Sequence, residues 1–258
     1  MLSLVFWLIL TPPSFGQETD QFERISLESE LSHGTVYTIL QDHTGFMWFG
    51  TEGGLNRYDG YGFITYFHDP QDSLSLSNSN ISAMAEDSAG FIWLATWGGG
   101  LERFDPSSES FKHYRHNETR PGSISDDRVQ TLYVDPKGTL WIGTYSGGLN
   151  RYDPEEDQFE VFKNNPADNA TLSNNRVWTI LQDSIFLYVG TTNGLNRMRV
   201  DRPMAGFERI FSNSSNPSTL SHSFIRSLTK TRRGDFWIGT QDGLNAFDPV
   251  TLKSKRFL

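Results

Sequence analysis

Trp97, Tyr145, Arg128 and Arg176 are the side chains of this chain best suited to holding a ligand. Aromatic rings stack on pyranose faces, and a guanidinium fork meets a carboxylate or sulfate with two parallel hydrogen bonds. Together the four suit an anionic sugar. Trp97 is the most telling, because Gly98-Gly99-Gly100 follow it and offer nothing to bury it. Glu52 and Gln241 complete the candidate ligand-binding set, since they occupy the place of Trp97 and Tyr145 in other copies of a repeated segment. The competing reading of all six is ordinary variation in surface loops.

Other chemistries find little support. There is no cysteine, which removes disulfides, thiolate metal sites and cysteine nucleophiles together. His113 and His116 are three apart, which on a strand turns them to opposite faces. Asp153-Pro-Glu-Glu-Asp157 reads as a solvated turn rather than a calcium loop. No phosphate loop, His-Glu-x-x-His or nucleophile elbow occurs, so no catalytic residue, metal or cofactor is expected. Asp42, Asp87 and Asp135 each precede a Gly-x-x-Trp segment and read as hairpin stabilisers, their carboxylates accepting backbone N–H bonds within the turn.

The candidate residues are equivalent because one unit is written five times. GFMWFGTEGGLNRYD from Gly45, GFIWLATWGGGLERFD from Gly90, GTLWIGTYSGGLNRYD from Gly138, FLYVGTTNGLNRMR from Phe186 and GDFWIGTQDGLNAFD from Gly234 are its copies. Their aromatic anchors, Trp48, Trp93, Trp141, Tyr188 and Trp237, recur every 45–49 residues. Each copy opens with Leu-Ser or Ile-Ser and continues to a β-branched residue (Val36, Ile81, Val129, Val177, Ile225). The anchor follows twelve residues later, or eleven in the fourth copy.

Each copy reads as four short strands, in the first near Val36–Gln41, Phe46–Thr51, Leu55–Tyr58 and Phe63–Phe67. Asp42-His-Thr-Gly45 suits a type I turn, and Gly53-Gly54, Asn193-Gly194 and Asp242-Gly243 mark tight hairpins. Four strands per period with an aromatic anchor predict an all-β propeller of about five four-stranded blades, part of a larger ring of about seven. The blades are expected near 31–70, 76–116, 124–165, 172–213 and 220–258, within a domain spanning 17–258. Repetition assigns the anchors to packing between blades. Arg57, Arg103, Arg151 and Arg197 are expected to pair with Asp59, Asp105 and Asp153 or to bond carbonyls across a turn. The loop residues Glu52, Trp97, Tyr145, Thr192 and Gln241 and the strand-entry residues Thr35, Asn80, Arg128, Arg176 and Phe224 are expected at one face, around the mouth of a central channel.

The chain has 258 residues, a hydrophobic fraction of 36 % and aromatics at 14 %, which suits small sheets packed face to face rather than one deep core. The formal charge of −9 argues against nucleic acid as a partner. Met1–Leu10 is almost wholly apolar, and the following Thr-Pro-Pro-Ser-Phe-Gly ends at Gly16. Residues 1–16 are therefore expected to be a secretory signal peptide, though without a basic start, and too short to span a bilayer. Phe22–Leu27 is expected to be a lone outer strand, and the fourth strand of copy five runs to the last residue. These ends suggest five blades of a longer protein, with a closed five-bladed ring as the alternative. An open arc would expose apolar sheet faces and favour a homodimer.

The pattern Leu-Ser-x-x-x-Val-x-x-Ile-x-x-Asp, Gly-x-x-Trp-x-Gly-Thr, Gly-Leu-Asn-Arg-Tyr-Asp resembles the two-component regulator propeller repeat. Copy one carries it as Leu31-Ser32, Val36, Ile39, Asp42, Gly45 to Thr51 and Gly54 to Asp59. Copies four and five depart from it at Tyr188, Met198, Thr231 and Ala246. The resemblance implies the periplasmic sensor domain of hybrid two-component systems and of related receptors ending in diguanylate cyclases. It implies an oligosaccharide or other small-molecule ligand, no catalysis by this part of the protein, and a membrane met only through downstream segments. The competing functions are a propeller enzyme (lyase, glycosidase or quinone-dependent dehydrogenase) and a protein-binding scaffold.

Overall fold

The computed structural model describes residues 31–257. The expected signal peptide at 1–16 and outer strand at 22–27 lie outside the described residues. The chain forms five four-stranded antiparallel sheets, each a meander in sequence order. Blade one is β1 (Val36–Gln41), β2 (Met47–Thr51), β3 (Leu55–Tyr58) and β4 (Phe63–Tyr66). In blade two β5 to β8 are Ile81–Glu86, Ile92–Thr96, Leu101–Asp105 and Ser110–Tyr114. In blade three β9 to β12 are Val129–Val134, Leu140–Thr144, Leu149–Asp153 and Gln158–Phe162. Blade four holds β13 to β16 at Val177–Asp183, Phe186–Thr191, Gly194–Arg199 and Glu208–Ile210. Blade five holds β17 to β20 at Ile225–Lys230, Phe236–Thr240, Gly243–Phe247 and Ser254–Phe257. The first strands β1, β5, β9, β13 and β17 contact one another in that order. They form the inner edge of a β-propeller.

The turns follow from local chemistry. Gly45 N–H donates to the Asp42 carbonyl at 3.0 Å with Gly45 at φ 98°, a conformation that costs a glycine little. Asp42 Oδ1 accepts the Thr44 and Phe46 amides at 2.9 and 3.0 Å, and Oδ2 accepts the Trp48 indole N–H at 2.8 Å. Asp87–Trp93 and Asp135–Trp141 repeat that indole bond at 2.7 and 3.3 Å. The carboxylate therefore stabilises its turn, as expected, and also orients the anchor of its own blade.

The anchors of blades one to four are buried, and three of them show direct aromatic contacts with the next sheet; Trp237 of blade five is partly exposed and packs on Phe257 of its own sheet. Trp48 meets Phe104 edge-on at 5.6 Å, Trp93 lies 4.9 Å from Tyr152, and Tyr188 meets Phe236 edge-on at 4.8 Å. Close approach of the sheets needs a small residue on each second strand. A Cβ on Gly143 would stand 2.6 Å from both Thr131 Cγ2 and Val177 Cγ1, the latter in the following blade. Blade two carries Ala95 at this place, and there its partner across the ladder is Ala83 rather than threonine. The volume added on one strand is removed on the other.

Each blade is locked by a buried polar knot. In blade three Asn150 accepts the Ser125 amide at 3.0 Å and donates to Ser125 Oγ at 2.8 Å, and blades one, four and five repeat this with Asn56, Asn196 and Asn245. Blade two has Glu102 instead, with no exposed surface. Its carboxylate accepts from Ser77 Oγ and from the His113 ring, whose other nitrogen faces the Ser73 carbonyl at 3.0 Å. A histidine flanked by two acceptors is satisfied as imidazolium, and the bond to Glu102 raises its pKa above the usual value.

The repeated arginines correct the expectation that they pair with Asp59, Asp105 and Asp153. Arg57 reaches Glu109 of the next blade at 3.4 Å, while Arg151 and Arg197 pair across their own ladder with Glu160 and Glu208, both at 2.7 Å. The aspartates are occupied by turn amides: Asp59 Oδ1 accepts Tyr61 and Gly62, and Asp153 Oδ1 accepts Glu155. The end blades differ from the middle ones. Leu244 of blade five is 42 % exposed whereas its counterparts Leu55, Leu101, Leu149 and Leu195 are buried, and Ile39 of blade one is 58 % exposed.

Candidate ligand site at the channel mouth

The two sets of loop residues lie side by side in every blade. The amides of Glu52, Trp97, Tyr145, Thr192 and Gln241 donate to the carbonyls of Thr35, Asn80, Arg128, Arg176 and Phe224, at 2.9–3.2 Å. Each blade thus presents one loop residue beside one strand-entry residue at the same end of its inner strand.

Four of the six candidate residues meet. The Tyr145 ring takes the Trp97 ring edge-on at 5.0 Å and carries the guanidinium groups of Arg128 and Arg176 at 4.6 and 3.7 Å from its centroid. These contacts join blades two, three and four. They also occupy the Tyr145 ring, so this ring orients its neighbours instead of offering a free face to a sugar. Trp97 stays 39 % exposed, and the loop behind it is tied to blade three by Gly98 and Gly100 N–H bonds to the Asp127 carbonyl at 3.1 and 2.9 Å. Arg128 is held by Asp126 (Nε–Oδ1 3.3 Å) and by Ser146 (2.9 Å). Burial pushes the Asp126 carboxyl up, but its bonds to Ser146 and Arg128 outweigh that and hold it below the usual carboxylate value. Among the described residues the ion pairs do not include Arg176, which leaves its charge free for an anion. The structure does not bring Glu52 and Gln241 into this cluster. Glu52 lies 3.9 Å from His33 on blade one, and Gln241 is exposed on blade five.

Beside Trp97 the inner strands surround a cavity of about 470 Å³, lined by Tyr37, Asn80, Ser82, Trp97, Gln130 and Trp178. This is within the usual range for a small-ligand pocket, about 300–1,000 Å³. Tyr37, Ser82, Gln130 and Trp178 are equivalent positions, one residue after the β-branched residue of each copy, with Arg226 as the fifth. All five fall at a break in the ladder. Val36 pairs with Thr51 and Thr38 with Gly50, leaving Tyr37 unpaired, and the same shift leaves out Ser82, Gln130, Trp178 and Arg226. They are β-bulges, which bend a strand and re-aim one side chain. Trp178 is fixed by an indole bond to Thr192 Oγ1 at 3.3 Å and a contact with Phe224 at 5.3 Å, and Arg226 lies over Phe224 at 4.5 Å. These residues lie two positions beyond the strand-entry set and were not singled out from the sequence. The sequence signal was present: this position holds Tyr, Ser, Gln, Trp and Arg between neighbours that barely vary.

The family model for the two component regulator propeller matches residues 30–53, 75–98, 123–146 and 219–242, on blades one, two, three and five. A solved structure described as the extracellular domain of the hybrid two-component system BT3049 from B. thetaiotaomicron superposes with a TM-score of 0.78 and 28 % identity. The match covers 90 % of this chain and 31 % of that one. The extracellular domain of BT4673 from the same organism shares the fold at 22 % identity and a TM-score of 0.57, over 86 % of this chain and 37 % of its own. Histidine kinase P4 of Formosa agariphila is 47 % identical over 47 residues, 18 % of this chain. The chain spans about a third of the length of these solved domains, and the aligned stretch is 3 % of the kinase.

Proposed function

The chain is built from the two-component regulator propeller repeat, and on that premise we propose that it is the ligand-sensing part of an extracytoplasmic receptor. It binds a glycan at the mouth of its central channel and performs no chemistry on it. The output is two-component or cyclic-di-GMP signalling through segments beyond this propeller, and the compartment is the periplasm. The observation that carries the reading is the cavity itself. Three aromatic side chains, Tyr37, Trp97 and Trp178, and three neutral polar ones converge there from four blades, with Arg176 nearby and free of an ion pair. Rings and hydroxyl-bonding groups in one pocket match a molecule with apolar faces and a polar rim, as a pyranose has. The likeness to the extracellular domain of a two-component system supports the compartment and the role.

The test is to pass the labelled chain over an immobilised set of neutral and acidic oligosaccharides, then to look for cleavage of whatever it retains. Retention without turnover is expected. Released product would make the protein an enzyme, and no retention by any glycan would remove the ligand assignment.

A further inference from the structure

The bulge residues explain how one repeat can be both uniform and selective. On either side of the bulge the inner strand is constrained by packing. The residue before it is Val36, Ile81, Val129, Val177 or Ile225, and the residue after it is Thr38, Ala83, Thr131, Thr179 or Ser227. The former are buried in blades two to five, and the latter sit across the ladder from the glycine or alanine that lets the sheets approach. The bulged residue makes no ladder pair, so its identity is not restricted by that packing; Tyr37, Ser82, Gln130 and Trp178 line the channel cavity, and Arg226 stands beside its Trp178 wall. Within the first three residues of each inner strand, size and chemistry change freely only at the bulge, the position that a ligand in the channel would touch.

The chemistry of the five residues is complementary to one sugar unit bearing a carboxylate. Tyr37 and Trp178, from blades one and four, offer aromatic faces. Ser82 and Gln130, from the blades between, offer hydroxyl and amide groups for ring hydroxyls. The Arg226 guanidinium lies over the Phe224 ring at 4.5 Å from its centroid and 5.8 Å from that of Trp178. A cation–π contact does not engage the guanidinium in an ion pair and leaves N–H groups for a bidentate carboxylate. No acidic residue stands among the five to neutralise it, and Arg226 belongs to none of the ion pairs among the described residues.

We propose that Tyr37, Ser82, Gln130, Trp178 and Arg226 form the specificity ring of this propeller and that it reads a uronic-acid unit of an oligosaccharide. The inference rests on the glycan reading given above and goes further by naming the residues that choose the glycan and the group they choose. Trp97, Arg128 and Arg176 then hold the remainder of the chain at the rim.

The experiment compares uronate-containing trisaccharides with their carboxyl-reduced counterparts, identical but neutral, by isothermal titration calorimetry. The wild-type chain is expected to bind at least one uronate trisaccharide roughly tenfold or more tightly than its reduced form, the scale of discrimination a charge-assisted pair supports. Arg226→Gln, at an exposed position, is expected to abolish that ratio while keeping binding of the neutral form. Trp178→Ala is expected to weaken both forms by roughly tenfold, and retention of the β-sheet circular dichroism spectrum identifies variants that fold. Binding whose selectivity survives every bulge substitution but is lost in Trp97→Ala overturns the ring and leaves the glycan reading standing. Equal or stronger binding of the reduced sugars overturns the uronate assignment. Failure of every trisaccharide to bind overturns the uronate ring, while the glycan reading stands or falls separately with retention on the wider immobilised set.

Discussion

Asp42 and Trp48 are joined by a 2.8 Å hydrogen bond from the indole N–H to the carboxylate, and both are buried. The bond ties the first hairpin of the blade to the aromatic that packs on the next one. Blade five lacks it: Thr231 stands at the Asp position, yet its turn has the same form, with Thr231 N–H to the Asp235 carbonyl at 2.8 Å and Gly234 N–H to the Thr231 carbonyl at 3.1 Å. Asp42→Ala should therefore destabilise the chain by about 1–3 kcal/mol, the cost of leaving a buried donor without its partner. Thr231→Asp should stabilise by about 1 kcal/mol by giving Trp237 an acceptor. Urea unfolding followed by tryptophan fluorescence measures both. An Asp42→Ala midpoint equal to that of the wild type would show that the bond has no net effect.

The pairing of Ala83 with Ala95 in blade two, where blade three has Thr131 with Gly143, predicts a compensation. Gly143→Ala should cost about 1–3 kcal/mol by overpacking the gap to Thr131 and Val177. Thr131→Ala in the same chain should recover part of that loss, and a double-mutant cycle would read the coupling directly. Additive effects would mean that the two strands do not share the space.

Blade two also predicts a pH dependence. The bond to Glu102 holds the His113 pKa above 6.5, with burial and, less strongly, the nearby Arg115 charge opposing it. A group whose folded pKa is raised contributes its full stability below the unfolded value and loses it as pH rises through the folded value. Unfolding free energy should therefore fall as pH rises from 6.5 upwards, and His113→Gln should flatten that slope. Because Ser77 Oγ bonds both Glu102 and the Gly99 carbonyl, at 2.8 Å to the latter, the same titration should alter the emission of Trp97 two residues away. An identical pH profile in the His113→Gln variant would contradict the assignment.

Much of the fold was legible because the repeat fixes equivalence: once Trp48, Trp93 and Trp141 are aligned, the turns and the loop face follow from position alone. The pairing of Trp97 with Asn80 and of Tyr145 with Arg128 was readable in that way. The bulges were not, since the changing residue type at that position marks variability but not geometry, and the one-residue shift shows only in the register of Val36 and Thr38 against Thr51 and Gly50. Ion-pair partners were missed for a different reason. The sequence places Asp59 close to Arg57, but the backbone amides of Tyr61 and Gly62 claim that carboxylate first, and Glu109 of the next blade is brought near only by folding. Glu102 was opaque because glutamate in a Gly-Leu-x-Arg segment reads as exposed, and only the knot formed by the other four blades shows it to be buried.

Fluorine NMR of the chain labelled with 5-fluorotryptophan, with resonances assigned by single Trp→Phe substitution, tests the channel-mouth site most directly. On adding an acidic oligosaccharide that the chain retains, the signals of Trp97 and Trp178 should shift together and saturably, while those of the buried anchors Trp48, Trp93 and Trp141 stay in place. Saturable binding that leaves Trp97 and Trp178 unmoved would put the ligand elsewhere on the protein.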